Sequence, residues 1–313
     1  MSQNKKNPAG SILSRFWIYQ KERFPIFQHG VMIAVFSFSA ISYARLSVGK
    51  TGLIAWNIFL PGVFITFTMF LMLRIFDEFK DAEEDKVHRS HLPVPRGLVD
   101  LSELRILGIS VILLQILVQL IFFPNMLFLY GVVMIYMSLM SVEFFIPKWL
   151  VAHHFWYVIT HMMIIPLVDI YASGLDWFLK GEDTPSTLIW FFAVSFMNGI
   201  VLEFGRKIKT PAAEEINTYS TKLGMNKATL CFLAALICTW ILAMLAAYHA
   251  GYNRDTYIIL CGFLLLSSIP ALLFLKNKKA KYTKGIEIAS GIWTVAMYLV
   301  LGGGQLFFHG SNL

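Results

Sequence analysis

The chain has 313 residues, of which 57% are hydrophobic and only 14% charged, with a mean hydropathy of +0.64. Those proportions exclude a soluble globular domain and describe a polytopic membrane protein. The formal charge of +7 does not call for a nucleic-acid partner, because the basic residues gather at the ends of apolar stretches on one side, as the positive-inside rule requires.

Ahead of the first apolar stretch, Met1 to Gly10 is polar and lacks the apolar core of a cleavable signal peptide, so none is expected. Ser11 to Phe24 mixes aromatic and basic residues and reads as a helix lying on the inner leaflet. Residues 1–26 are therefore a cytoplasmic N-terminal segment and 27–313 a single transmembrane domain. Stretches of about 20 apolar residues cross a bilayer of about 30 Å. Nine are predicted, at 27–46, 53–76, 105–123, 126–146, 150–172, 187–204, 228–249, 256–275 and 285–307. Pro147 and Lys148 are the only punctuation between the fourth and fifth. The fold class is an all-α bundle of nine transmembrane helices. With the N-terminus inside, 22 of the 26 Lys and Arg fall on the cytoplasmic side, leaving Arg45, Lys50, Lys180 and Arg254 outside. An integral membrane protein with the N-terminus in and the C-terminus out is expected, in a bacterial inner membrane. Cys231, Cys238 and Cys261 sit within spans without a CxxC pair and imply neither a disulfide nor a metal.

Two connections are longer and polar, 77–103 after the second span and 205–227 after the sixth. Both fall on the cytoplasmic side. A short echo links them: Glu78-Phe79-Lys80-Asp81 ends the second span and Glu203-Phe204-Gly205-Arg206 ends the sixth.

The first connection carries Asp77, Glu78, Asp81 and Asp85, then Lys86, His88, Arg89, Pro93, Pro95, Arg96 and Gly97. Stacked carboxylates repel one another and are costly to desolvate, and a divalent cation changes that balance. If the second helix continues through Asp85, then Glu78, Asp81 and Asp85 stand at i, i+3 and i+7 on one face, with Asp77 beside them. Hard oxygen donors at this spacing suit Mg²⁺, which in turn suits a phosphate-bearing substrate. Lys86, Arg89 and Arg96 are candidates to contact the phosphate. Lys80 and Glu83 read as surface charges of the same helix end.

At these residues the chain resembles the UbiA superfamily of intramembrane prenyltransferases, which carries N-D-x-x-D-x-x-x-D at the end of its second span and then a segment like R-P-I/L-x-x-G. Here the run is Asp77-Glu78-Phe79-Lys80-Asp81-Ala82-Glu83-Glu84-Asp85, followed by Leu92-Pro93-Val94-Pro95-Arg96-Gly97. Asp77 replaces the usual Asn and Glu78 the first Asp. Nine spans also match the superfamily, so the resemblance covers nearly the whole chain. It implies a UbiA-like bundle with a cytoplasmic-side active-site cap and Mg²⁺-dependent chemistry on an isoprenyl diphosphate. The diphosphate leaves, an allylic carbocation forms in a lipid-facing cavity, and the prenyl group passes to an aromatic or lipophilic acceptor. A related branch cyclises the prenyl chain on itself as a terpene synthase. On this reading Asp77, Glu78, Asp81, Asp85 and Glu203 are the metal ligands.

The superfamily carries a second Asp-rich motif after the sixth span, and here the pattern departs. Glu203 matches the leading carboxylate, but Arg206 stands where the echo would place Asp81, and Thr210 where it would place Asp85. The second half-site is expected to be cationic, with Glu203 on a metal and Arg206, Lys207 and Lys222 on diphosphate oxygens. Glu214 and Glu215 are candidate replacement ligands if the loop folds back. Tyr219 to Gly224 resembles the segment ahead of the superfamily's seventh span.

Glu143, near the inner end of the fourth span, is a candidate to orient an acceptor or take the final proton. His161 and Asp169 are eight residues apart and can share a face, as a proton-handling pair or a structural bond. Asn198 reads as an interhelical hydrogen-bonding residue, and His153 and His154 receive no role. A transporter is the competing class, but its charges would lie at broken helices near the midplane rather than at a helix end. The D-x-x-D-G-x-x-A-R pattern of CDP-alcohol phosphotransferases is absent.

Overall fold

Long apolar stretches become helices here because only a helix satisfies every backbone group inside a hydrocarbon layer. The computed structural model describes residues 10–210 and 218–303. It begins with α1 (Ile12–Arg23), whose N-terminus is capped by the Ser11 hydroxyl accepting from Ser14 N–H. Then follow α2 (Ile26–Leu46), α3 (Trp56–Lys80), α4 (Ala82–His88), α5 (Leu101–Phe122) and α6 (Leu127–Ser141). The chain continues through α7 (Pro147–Ala152), α8 (His154–Met162), α9 (Ile164–Gly174) and α10 (Leu188–Lys207). It ends with α11 (Tyr219–Leu223), α12 (Met225–His249), α13 (Arg254–Lys276) and α14 (Ala280–Tyr298), the last running into a π-turn at Leu299–Gly303.

Among the described residues, nine spans are long and apolar enough to cross a bilayer, and the molecule is an all-α polytopic membrane protein. Helix α10 packs against α9, α12 and α14, while α3 packs against α2 and α5. The core between them is apolar and aromatic, with Tyr43, Phe191, Trp293 and Phe232 fully buried. Polar pairs join spans inside it. Ser37 and Thr66 hydroxyls lie 2.7 Å apart, and Tyr130 donates to Gln115, which donates in turn to Thr68. The outward faces carry exposed Ile106, Leu113, Leu117, Leu265 and Leu266, as lipid contact requires.

Two expectations from the sequence are corrected. The second helix does not run on unbroken through Asp85. Asp81 leaves the helical region at φ −91° and ψ 4°, and α4 begins after it. The fourth span ends at Ser141 rather than 146, and three left-handed residues, Glu143, Phe144 and Phe145, carry the chain into α7. The fifth span, expected at 150–172, is His154–Gly174, with α8 and α9 meeting at Met163, whose backbone stays right-handed helical.

Candidate functional site

The polar ends of α3, α6, α8 and α10 converge, with α1, α4 and α11 laid around them. On the first loop the carboxylates divide instead of sharing a face. Glu78 is buried and accepts from Arg23 Nε of α1 at 2.5 Å. Asp85 is equally buried and accepts from Arg89 at 2.9 Å, one turn along. The cause is local. Asp81 interrupts the helical dihedrals between α3 and α4, and α1 supplies a dedicated arginine to the first acid. Asp77 and Asp81 take the other side and stay about one-third exposed.

Between those two lies Lys80. Its ammonium is 3.9 Å from Asp77, 4.0 Å from Asp81 and 3.5 Å from Glu143, and it donates to the Tyr157 hydroxyl at 3.0 Å. The sequence reading placed Lys80 among surface charges, but only 14% of its side chain is exposed. Burial raises the Asp81 carboxyl, Lys80 lowers it, and Asp77, Asp85 and Glu84 raise it further, so that it is pushed up to about 6. Asp77 has a second cation beside it, Arg74 at 3.7 Å, whereas the ion pair of Asp81 is with the Lys80 ammonium at 4.0 Å.

The opposite wall belongs to the second loop. Glu203 is buried at the end of α10, accepting from Arg206 at 2.6 Å and from Lys207 at 2.5 Å. Gly205 makes that position possible: a Cβ there would fall on the Ser290 side chain of α14, so only glycine lets the two helices approach. Lys222 on α11 completes the wall. Partial burial and repulsion from Lys207 lower its pKa, while Glu84 of the first loop and Glu203 pull the other way. The basic wall is thus under-neutralised, and Lys222 senses both loops. Glu214 and Glu215 lie outside the described residues.

Rings connect the walls. His161 stacks on Tyr157 at 4.0 Å, His154 lies parallel to Tyr157 at 6.1 Å and tilted to Tyr219 at 5.4 Å, and Tyr219 stacks on Phe204 at 4.2 Å. Lys80 sits 5.5 Å from the Tyr157 ring and Lys207 6.0 Å from the Tyr219 ring. The sequence marks Tyr219 only as the start of a family-like segment and gives Tyr157 and His154 no role, because nothing local distinguishes those two from the other aromatics and histidines of the chain.

The remaining candidates separate. His161 and Asp169 do not pair. His161 faces Glu143 at 3.4 Å, whereas Asp169 is fully buried near Ser195 and Tyr298. Asn198 is also fully buried, its amide making no hydrogen bond and facing Tyr298. Lys86 pairs with Glu83 at the exposed surface, and Arg96 with Glu22 of α1 at 2.9 Å. Three successive residues with φ between 52° and 61° bring Glu143 to Lys80, at a cost of about 1–2 kcal/mol for each.

No group of three or more His, Cys, Asp or Glu is arranged to hold a metal ion among the described residues. A Mg²⁺ site does not require one, since this ion commonly uses one or two carboxylates and fills its remaining positions with water and substrate phosphate. Asp77 and Asp81 fit that role. They are hard donors, partly exposed and already gathered around the Lys80 ammonium.

No curated protein matches the sequence. The fold is similar to a solved structure described as "Structural and mechanistic insights into the biosynthesis of Digeranylgeranylglyceryl phosphate synthase in membranes", with a TM-score of 0.62 at 13% identity, covering 94% of this chain and 99% of that one. At that identity the likeness shows the fold. Residues 35–286 match the model of the UbiA prenyltransferase family, and since that stretch is most of the nine-span bundle, the chain belongs to this family.

Proposed function

We propose that the protein ionises an isoprenyl diphosphate between the two walls and transfers the prenyl group to a lipophilic acceptor. The observation that carries this reading is the opposition of charged groups: an acidic wall at Asp77 and Asp81 and a basic wall at Arg206, Lys207 and Lys222, joined by aromatic rings. Such a pair of walls suits a metal–diphosphate unit better than either partner alone. Asp77 and Asp81 hold Mg²⁺, which when bound supplies Lewis-acid neutralisation of diphosphate charge. Lys207, Lys222 and Arg206 bind diphosphate oxygens from the other side, and Arg89 extends that set from α4. Glu203 keeps Arg206 and Lys207 aimed, as Asp85 keeps Arg89 and Glu78 keeps Arg23. The ring faces of Tyr157 and Tyr219 stabilise positive charge developing on the prenyl carbon and exclude water. The charged end is the cytoplasmic one in a bacterial inner membrane, with 27–313 as the catalytic domain and α1 of the 1–26 segment lying along its inner-leaflet surface.

The basic second motif departs from the superfamily pattern, and the alternative is a cyclase of the same superfamily, in which the chain's own double bond replaces the acceptor. Mass spectrometry of products decides between them. Purified protein in detergent receives Mg²⁺ and C10, C15 or C20 prenyl diphosphates without acceptor. Unchanged diphosphate or slow hydrolysis to the alcohol, becoming a prenylated product once aromatic or lipid acceptors are added, is expected for the transferase. A cyclic hydrocarbon lost in Asp81→Ala would replace it with the cyclase. Consumption that is indifferent to EDTA and to Asp81→Ala would overturn both.

A further inference from the structure

The left-handed turn at Glu143, Phe144 and Phe145 needs a reason, because none of the three is glycine. It is held by Phe145 N–H donating to Val142 and Ile146 N–H to Glu143, and by Phe144 packing edge-on to Tyr136. Its result is the placement of one carboxylate. Glu143 Oε1 lies 3.5 Å from the Lys80 ammonium, and Oε2 lies 3.4 Å from His161 Nε2.

The tautomer of His161 follows from its other nitrogen. Nδ1 is 2.8 Å from the Tyr157 carbonyl oxygen, and a carbonyl only accepts, so Nδ1 carries a hydrogen. A neutral His161 therefore turns the lone pair of Nε2 toward Glu143 Oε2. Both atoms are buried, and neither makes a hydrogen bond. Two acceptors at this distance repel until one proton lies between them. The surrounding charges are Lys80 from α3, Tyr157 from α8, and Glu203 and Lys207 from α10, with Asp81 beyond Tyr157. Lys80 engages the other carboxylate oxygen, Oε1, which leaves the unpaired Oε2 and Nε2 facing each other as the place for a proton.

We propose that Glu143 is the base of the reaction and that His161 is a positioning residue that shares the proton it takes. This rests on the prenyl-diphosphate reading above. In that reaction the C–O bond to diphosphate breaks and its electron pair leaves with the diphosphate. A new bond forms to the prenyl carbon from the acceptor, or from the chain's own double bond in a cyclisation. Either way one O–H or C–H bond must then break, its electrons remaining with the product. The proton passes to Glu143 and comes to rest between Oε2 and His161 Nε2. No oxidant or reductant is involved.

The test separates ionisation from proton loss. Glu143→Gln and His161→Gln are assayed for diphosphate release and, separately, for product by mass spectrometry. In Glu143→Gln, diphosphate release is expected to persist while product formation falls about 100-fold or more, with prenyl alcohol accumulating in its place. The acid limb of the wild-type pH–rate profile should disappear in Glu143→Gln and shift in His161→Gln. Histidine-selective ¹⁵N NMR of the resting protein should show His161 titrating at lower pH in Glu143→Gln than in wild type, a readout independent of turnover. Wild-type product rates and an unmoved His161 titration in Glu143→Gln would overturn the proposal while leaving the prenyl-diphosphate reading standing. Should Glu143→Gln fail to fold, an unchanged pH–rate profile in His161→Gln would overturn it instead. If the wild type releases no diphosphate in an Asp81-dependent manner, the underlying reading falls and the base role falls with it.

Discussion

Arg23 Nε donates to Glu78 Oε1 at 2.5 Å, joining α1 to the end of α3 across 55 positions of sequence. The carboxylate is 1% exposed, the arginine 15%. The first acid of the motif is therefore neutralised by a helix that precedes the first span. Removing Arg23 would strand a buried charge, which typically costs about 3–5 kcal/mol, whereas replacing both partners with apolar groups of similar size is close to neutral. Arg23→Met should lower the melting temperature in detergent sharply, and Arg23→Met with Glu78→Met should recover most of the loss. Calorimetric Mg²⁺ titration of Glu78→Gln should give an affinity within about threefold of wild type. A loss as large as that of Asp81→Asn would instead make Glu78 a ligand.

Asp81 offers a pH-dependent test. Its folded carboxyl lies near 6 against an ordinary 3.8, so the ionised form opposes folding: the cost is absent below about pH 4 and complete above about pH 6. The full shift corresponds to about 3 kcal/mol, but the side chain is slightly more than one-third exposed and solvent screening reduces this to about 1 kcal/mol. In EDTA, Asp81→Asn should melt higher than wild type at pH 7 and equal to it at pH 4. With Mg²⁺ added at pH 7 the order should reverse, because only wild type gains from the ion. An Asn variant that melts lower in EDTA at pH 7 would remove the charge-repulsion account.

The nine spans were legible because hydropathy over about 20 residues is a strong signal and the Lys and Arg asymmetry reinforces it. The two polar loops were legible for the same reason. What the sequence hid was side-chain partnership. Spacing places Glu78, Asp81 and Asp85 on one ideal helix face, but the backbone at Asp81 and the arrival of α1 depend on tertiary packing. Lys80 carries no mark that separates it from a surface lysine until Asp77, Asp81 and Glu143 are seen around it. The His161 to Asp169 spacing was compatible with a pair, but the partners come from elsewhere in the fold: Glu143 meets His161, and Asp169 is buried near Ser195 and Tyr298.

Lys222 gives a second pH signature, from a pKa shifted in the opposite direction. Partial burial and repulsion from Lys207 hold its ammonium below the ordinary lysine range. An anion bound between Lys207 and Lys222 relieves that repulsion and raises the pKa again. Diphosphate affinity should therefore fall as pH rises through the lowered Lys222 value, earlier than an ordinary lysine would allow. Lys222→Met should weaken inorganic diphosphate binding about tenfold, the loss of one charge-assisted contact worth about 1.5 kcal/mol, and should flatten the alkaline fall. Equilibrium binding in both proteins across that range is the measurement. Arg206→Ala should weaken diphosphate more than Mg²⁺, and unchanged diphosphate affinity would return Arg206 to a topological role.

Gly205 sets how close α10 comes to α14 and therefore where Glu203, Arg206 and Lys207 stand. A Cβ at this position would collide with Ser290 Oγ and Cβ, and the Ile286 carbonyl lies 3.5 Å away. Ser290 donates to the Glu287 carbonyl at 2.7 Å, so its side chain is not free to swing aside. Gly205→Ala should cost about 1–3 kcal/mol, the usual range for overpacking a tight interface, and it should also displace the basic wall by a fraction of an ångström. The two effects are separable. Ser290→Gly in the Gly205→Ala background restores space without touching a charged residue, so it should recover both the melting temperature and diphosphate affinity. Recovery of stability alone would mean that the wall's position is fixed by Glu203 and its cations rather than by the helix contact.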